Sequence, residues 1–407
     1  MYDVIVAGAR CAGAPAAMLF ARLGFRVLLL ERGRLSSDTL STLYIHQPGV
    51  ALLDRWGLRE RLAATGCPPI TSAVHQVGEV RLAGWGAPVA GVGVAYAPRR
   101  TVLDPLLAAA AVAAGAEYRQ GCAVTGLLTE NGRVTGVRFG PDGTVARARL
   151  VIGADGMRST TATLAGAPIT LERPRMTCVY YGFWRGVPAA GFEAYGAPRR
   201  WVGCAPTHAG HTLIGAYFPQ EEFPLIRGRA GQAYLEAIAA TAPGLHRRMA
   251  SGRLEGRLYG HGAQRNFFRQ PGGPGWVLLG DAAHHKDSIS ADGITDAFRQ
   301  AQLLADILGP LGPDGLADPA SLDAAVHTYA AAQQALLLPR FRVTMTNAGL
   351  APQRRLGALA MIAGDPVLTE RFFTGVSGAD RPLGIAADPR RPRDNDVLAT
   401  TGKEVSS

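Results

Sequence analysis

The chain has 407 residues, 47% of them hydrophobic and 18% charged, which is enough apolar content to bury one large core or two smaller ones and excludes a disordered chain. Its net charge of +10 raises nucleic acid as a partner, but the basic residues fall singly or in short pairs such as Arg99-Arg100 and Arg354-Arg355, with no basic stripe interleaved with aromatics, so none is expected. Five scattered cysteines without a C-x-x-C pair exclude a disulfide framework and a zinc site, and the lack of a basic leader or of an apolar run near ~18 residues leads to the expectation of a soluble, cytoplasmic protein without a membrane partner.

Tyr2 to Ala7 (YDVIVA) is a short apolar β-rich run. The turn Gly8-Ala9-Arg10-Cys11-Ala12-Gly13 follows, and Ala14 to Leu23 is rich in helix formers until Gly24 stops it. Phe25 to Leu30 is a second strand ending at Glu31, so residues 2–31 form one βαβ unit. Ser41–Val50 follows the second strand, and Leu103–Ala114 is an alanine-rich helix. Three strands, Cys122–Leu128, Arg133–Phe139 and Val145–Ile152, are separated by Asn131-Gly132 and Gly140-Pro141-Asp142-Gly143, the turn chemistry of a meander. From about 176 to 265 the alternation of segments such as Thr177–Trp184 and Thr212–Phe218 predicts a separate antiparallel sheet. Trp276–Leu279 is a further strand leading to a helix over Gly293–Leu308, and helices continue from the mid-330s to the 360s. Residues 388–407, polar and rich in Arg, Pro and Asp, are expected to form a mobile tail.

The Gly-rich turn carries the first chemistry. A strand-turn-helix that holds a pyrophosphate needs a tight turn, close backbone approach and close helix packing, hence three glycines. Gly8 and Gly13 satisfy the first and third requirements, and Arg10 stands in the second place, where its guanidinium can meet phosphates. Glu31, with Arg32 beside it, ends the second strand where a carboxylate holds a ribose hydroxyl pair, and glutamate there favours a ribose without a 2′-phosphate. Arg149–Gly156 (RLVIGADG) and Trp276–Asp281 (WVLLGD) each end a strand in a turn bearing an aspartate, and either alone reads as an ordinary capped loop.

Taken together and in this order, the turn near residue 10, the Asp155-Gly156 turn and the Gly280-Asp281 turn resemble the flavoprotein monooxygenases related to p-hydroxybenzoate hydroxylase, over most of residues 1–340. The resemblance implies an α/β fold: an FAD-binding dinucleotide domain with an inserted β-meander (1–175 and 266–340), a substrate domain with a mostly antiparallel sheet (70–100 and 176–265), and a C-terminal helical region (341–387). It implies that Arg100, in PRRTVLDPLL, contacts the flavin cofactor, and that Asp281 binds the ribityl or pyrophosphate region. Gly293 and Ile294 would approach the isoalloxazine, Asp155 and Gly156 would lie near the pyrophosphate and the nicotinamide route, and Val124 would meet adenine.

The loop after the Gly280-Asp281 turn departs from the family's P-x-x-G-x-G run, keeping only Gly293 among Ser288, Ala291 and Gly293. Asp292 either caps the helix beginning at Gly293 or, with a raised pKa, takes part in proton transfer. Tyr44 and His46 either reach the active-site cavity or pack under their loop. Trp184, Arg185, Tyr217 and His261 are candidates for the substrate pocket, their facing left open by the strand period of two. For His284 and His285, with Asp281 and Asp287, a structural or proton-buffering role is expected ahead of a metal.

The implied activity is that of an FAD monooxygenase using NADH or NADPH and O2, through a flavin C4a-hydroperoxide, to hydroxylate or epoxidise a small aromatic or hydrophobic metabolite. A separate flavin reductase and a monomeric or homodimeric state are both compatible. Halogenation is disfavoured, because the W-x-W-x-I-P run of related halogenases is absent. The alternatives are a dehydrogenase or reductase resembling the geranylgeranyl-reductase branch, and a flavin-binding module without turnover.

Overall fold

The computed structural model describes residues 1–35 and 41–380. The expected tail at 388–407 lies outside the described residues.

Tyr2–Ala7 is buried at five of its six positions, as a continuous apolar run must be when a parallel sheet is covered on both faces. It pairs in parallel with Val27–Glu31 on one side and Thr144–Gly153 on the other, and Trp276–Leu278 adds beyond the latter. The registers Ala7↔Leu30, Ala7↔Gly153 and Leu278↔Gly153 align the carboxyl ends of all four strands. Three strand-to-helix turns far apart in sequence therefore open along one sheet edge, the place where open α/β sheets bind ligands. Helices Gly13–Arg22, Arg100–Ala113 and Gly293–Leu308 cover one face, while the meander strand Arg133–Phe139 pairs with Thr144–Gly153 and, on its other edge, with Val124–Glu130.

The second sheet has seven strands, running from Arg253–His261 through Thr177–Arg185, His211–Pro219, Arg200–Thr207 and Phe192–Ala197 to Ala73–Val77 and Val80–Gly84. Its side chains sort by parity. Cys178, Tyr180, Ile214, Ala216 and Phe218 pack under helix Ala230–Thr241, whereas Val179, Tyr181, Leu213 and Tyr217 face the other way, toward residues 43–44 and 289–291. A small third sheet joins Ile169–Arg173, Asn266–Arg269 and His284–His285.

A single helix, Pro319–Ala348, runs across the expected boundary at 341 and has Pro339 within it. Tyr329 in its first half donates to Leu278 O of the first sheet (3.2 Å), and Ala348 at its end packs with Val179 and Tyr217 of the second. Helices Leu356–Ala363 and Pro366–Ser377 then pack on Val80–Gly84.

Candidate active site

The three turns meet at the aligned sheet edge. Gly8 has φ +101°, and a Cβ there would lie 2.4 Å from Ala154 O, so this position accepts only glycine. Gly280 has φ +57°, and its Cβ would lie 2.8 Å from that of Ala12. The Glu31 carboxylate is buried and already organised, accepting from Ala9 N and Gly33 N at 2.9 Å each. Cys122 N donates to Glu31 O (2.9 Å), which sets the Val124 strand beside this end of the sheet. Arg32 is exposed.

Asp104 is the residue the sequence reading missed. Its fully buried carboxylate accepts from Arg10 Nη1 (2.7 Å), Arg100 Nε (2.8 Å), Arg100 Nη2 (3.0 Å) and Cys11 Sγ (3.5 Å). The helix starts at Arg100, three residues before the expected Leu103, which places Arg100 and Asp104 one turn apart. Two guanidiniums share one carboxylate here, leaving net positive charge beside the N-terminus of helix Gly13–Arg22, an arrangement suited to phosphate. Burial and then the neighbouring Cys11 and Asp104 act on Arg100, and the balance raises its pKa, so it is cationic throughout.

Asp155 turns inward. It accepts from Ser159 Oγ, Thr161 N (2.9 Å) and Thr161 Oγ1 (3.1 Å), so its carboxylate organises the start of helix Thr160–Leu164. This turn reaches the sheet edge through the backbone of Ala154 against Gly8. Asp281 is exposed at the same edge. Gly293 is also exposed, and a Cβ added to it would meet nothing within 4 Å, so space lies open in front of a sixteen-residue helix; Ile294, next to it, is buried.

Asp292 satisfies neither expectation. Its side chain makes no capping hydrogen bond, and its pKa is not raised. Arg340 Nη2 and Nε donate to it at 2.6 and 3.2 Å, and Lys286 Nζ lies 3.1 Å away while also 2.7 Å from Asp296. Burial alone would raise the carboxyl's pKa, but the charges of Arg340 and Lys286 outweigh it and hold it below the usual range. His46 Nε2 is 3.0 Å from Ser290 O and 3.5 Å from Asp292 Oδ1; a carbonyl can only accept, so Nε2 carries the proton. Burial lowers its pKa to about 4, so the ring is neutral near pH 7. Arg340 also donates to Gly375 O (2.8 Å) and Val376 O (3.0 Å), tying the end of helix Pro366–Ser377 to this loop.

A cavity of about 630 Å³ opens beside His46, Ile289 and Ser290, between the second sheet and the C-terminal helices. Tyr44 lines it, with its ring edge-on to His46 at 4.8 Å and against Phe192 at 4.7 Å. Burial raises the Tyr44 pKa and keeps the phenol protonated. Tyr217 faces this side and bonds Ser288 Oγ (2.9 Å). His261 shares its strand face with Tyr259, which stacks on Tyr181; burial, then His285, lowers its pKa to about 4. Trp184 corrects the sequence reading: it lies on the opposite face, donating to Tyr234 Oη (2.9 Å) in the core under helix Ala230–Thr241, and cannot line the pocket. Arg185 is paired with Glu255 at 2.9 Å on the exposed end of its strand. His284 is buried against Phe268 and Phe341.

The residues present fit FAD: a preset Glu31 for the ribose, Arg10 and Arg100 at a helix N-terminus for the pyrophosphate, and open space at Gly293 on the side of the cavity. Fold and site together define a flavin-dependent redox enzyme acting on a small organic substrate.

Residues 1–227 match the FAD binding domain family, and the chain belongs to it. It is 27% identical over 332 residues to digeranylgeranylglycerophospholipid reductase of Methanocella arvoryzae, covering 75% of this chain and 77% of that one. It is 37% identical to 6-methylpretetramide 4-monooxygenase of Streptomyces rimosus over 172 residues, 41% of each chain. Among solved structures, the myxobacterial chondrochloren halogenase CndH superposes with a TM-score of 0.75 at 20% identity, over 94% of this chain and 99% of that one, a likeness of fold. Membership thus reaches the FAD-binding family at large, without singling out the p-hydroxybenzoate hydroxylase branch.

Proposed function

We propose that the enzyme is a flavin-dependent reductase that adds a hydride and a proton to a double bond of a small, largely apolar substrate, with NADH or NADPH as the source of electrons. The observation that carries this reading is the relatedness to the Methanocella reductase over three quarters of both chains. The site is compatible with it. Bound FAD, once reduced by NADH or NADPH, would supply the hydride. Gly8 to Gly13, Glu31, Arg10 and Arg100 would hold the cofactor, and the cavity walls would exclude water and orient the substrate. Tyr44, buried and protonated at the cavity wall, would provide the balancing proton from Oη to the substrate carbon. Asp292, neutralised by Arg340 and Lys286, ties its loop to helix Pro319–Ala348, while the Ser290 carbonyl holds His46 in one tautomer. A Tyr44→Phe variant should retain flavin and ligand affinity while kcat falls about 100-fold; an unchanged kcat would remove Tyr44 from the chemistry.

A second reading, oxygenation with O2, is favoured by the 37% identity to the Streptomyces monooxygenase and by the aromatic lining of the cavity, which includes Trp85 and Trp201. Product mass separates the two. Purified flavoprotein, NADH or NADPH and a panel of unsaturated isoprenoid and polycyclic aromatic compounds are incubated under air. Products heavier by two hydrogens support reduction, and products heavier by one oxygen replace that reading with oxygenation.

A further inference from the structure

The cavity's charges are unbalanced in one direction. No aspartate or glutamate is among its described lining residues, while four arginines are: Arg200, Arg340, Arg354 and Arg355. Two of them are neutralised, Arg200 by Glu222 at 2.8 Å and Arg340 by Asp292 at 2.6 Å. Arg354 and Arg355 have no carboxylate partner among the described residues; Arg355 bonds only the amide oxygen of Asn347, at 3.3 Å. Both sit on the turn Pro352–Arg355, whose Pro352 packs on the backbone of Gly196 in the second sheet, so the turn is fixed to the cavity wall.

The lining is also graded. Tyr44, His46 and Ile289 are buried at the end beside the Gly293 helix, whereas Arg354 and Arg355 are exposed. His75, facing Phe372 at 5.2 Å in the same wall, is held neutral by burial and by the Arg355 charge, with a pKa of about 4, so it adds no competing cation near pH 7. A ligand filling this cavity therefore meets apolar and aromatic surface along its body and, at its exposed end, two guanidiniums with no carboxylate partner among the described residues. Guanidinium forks match carboxylate and phosphate oxygens in charge and geometry.

We propose that the substrate carries an anionic group, a carboxylate or a phosphate, on an apolar body, and that Arg354 and Arg355 bind that group at the exposed end of the cavity while the body extends toward Tyr44. The inference rests on the reductive reading only in taking this cavity as the substrate site. Its test requires no turnover, so the two can fail separately.

The test uses the flavin-loaded protein and two fluorescent probes of nearly the same shape, anionic 1-anilinonaphthalene-8-sulfonate and neutral N-phenyl-1-naphthylamine. Displacement of the anionic probe by dodecanoate and dodecyl phosphate below their micellar concentrations, and by dodecanol below its solubility limit, is then measured. The expected result is displacement by either or both anions at concentrations about tenfold lower than by dodecanol, weakening as salt is raised; the preferred anion names the group. Arg354→Gln with Arg355→Gln should weaken the anionic probe about tenfold and leave the neutral probe unchanged, and the double lysine variant should recover part of the loss. Equal displacement by dodecanol in the unmodified protein, or a glutamine variant that binds both probes as before, overturns the proposal.

Discussion

Asp104 shows how the candidate flavin site is built from single residues. One carboxylate, without solvent exposure, fixes the guanidiniums of Arg10 and Arg100 and the Cys11 thiol. Removing one partner of a buried ion pair costs about 3–5 kcal/mol because the other charge is stranded. Asp104→Ala should therefore destabilise the flavin-free protein by about 3 kcal/mol in urea denaturation and weaken FAD about tenfold, whereas a loss of FAD affinity without loss of stability would make Asp104 a ligand and not an anchor. Asp292 follows the same logic. Asp292→Asn should lower stability by a similar amount through Arg340, and an unchanged Tm would contradict the buried pairing. Glu31 and the two turn glycines were legible in sequence because local geometry demands those residue types. Asp104 was legible only in hindsight, one turn from Arg100. Arg340 lies 48 residues from Asp292 and left no local signal. Lys286 left one: the chain contains two lysines, and one of them stands in this loop.

At the scale of elements, the parallel strands determine where the chemistry sits, and their apolar runs made them readable. The second sheet was readable as a sheet, but its facing was not, since a period of two assigns residues to alternate faces without saying which face is covered. Helix Ala230–Thr241 settles that, and it puts Trp184 on the wrong side for a ligand. Two glycine turns give opposed predictions. Gly280→Ala brings a Cβ to 2.8 Å from Ala12 at positive φ, so both stability and FAD binding should fall, with about 1–3 kcal/mol of strain. Gly293→Ala meets no protein atom within 4 Å, so the flavin-free protein should be as stable as before or slightly more so, while FAD binds more weakly. Loss of stability in Gly293→Ala, seen in thermal melts, would mean that the space in front of this helix is packing and not a ligand site.

Across the whole molecule, helix Pro319–Ala348 joins the two sheets through Tyr329 at one end and Ala348 at the other, with Arg340 between them at the site. No helix among the described residues is long and apolar enough to cross a membrane. Five histidines in different parts of the structure, His46, His75, His208, His261 and His284, have their pKa values lowered, chiefly by burial, His46, His75 and His261 to about 4. The unfolded chain protonates these rings near pH ~6.5, so between that value and about 4 it binds more protons than the folded one, and stability falls as pH drops. The limiting slope is about 1.4 kcal/mol per pH unit for each fully buried ring. The Tm should therefore decline steadily between about pH 6.5 and pH 5, and the decline should be shallower in His46→Gln, provided that variant folds; parallel curves would show that His46 is not held neutral.

An anaerobic single turnover shows whether the proposed flavin site delivers hydride into the cavity without oxygen. The enzyme is reduced with one equivalent of dithionite and mixed, without O2, with unsaturated isoprenoid acids and phosphates, and flavin absorbance is followed while products are weighed. Hydride delivery returns the oxidised flavin spectrum with a product heavier by two hydrogens. A flavin that stays reduced with every compound until air is admitted, followed by a product heavier by one oxygen, would contradict it.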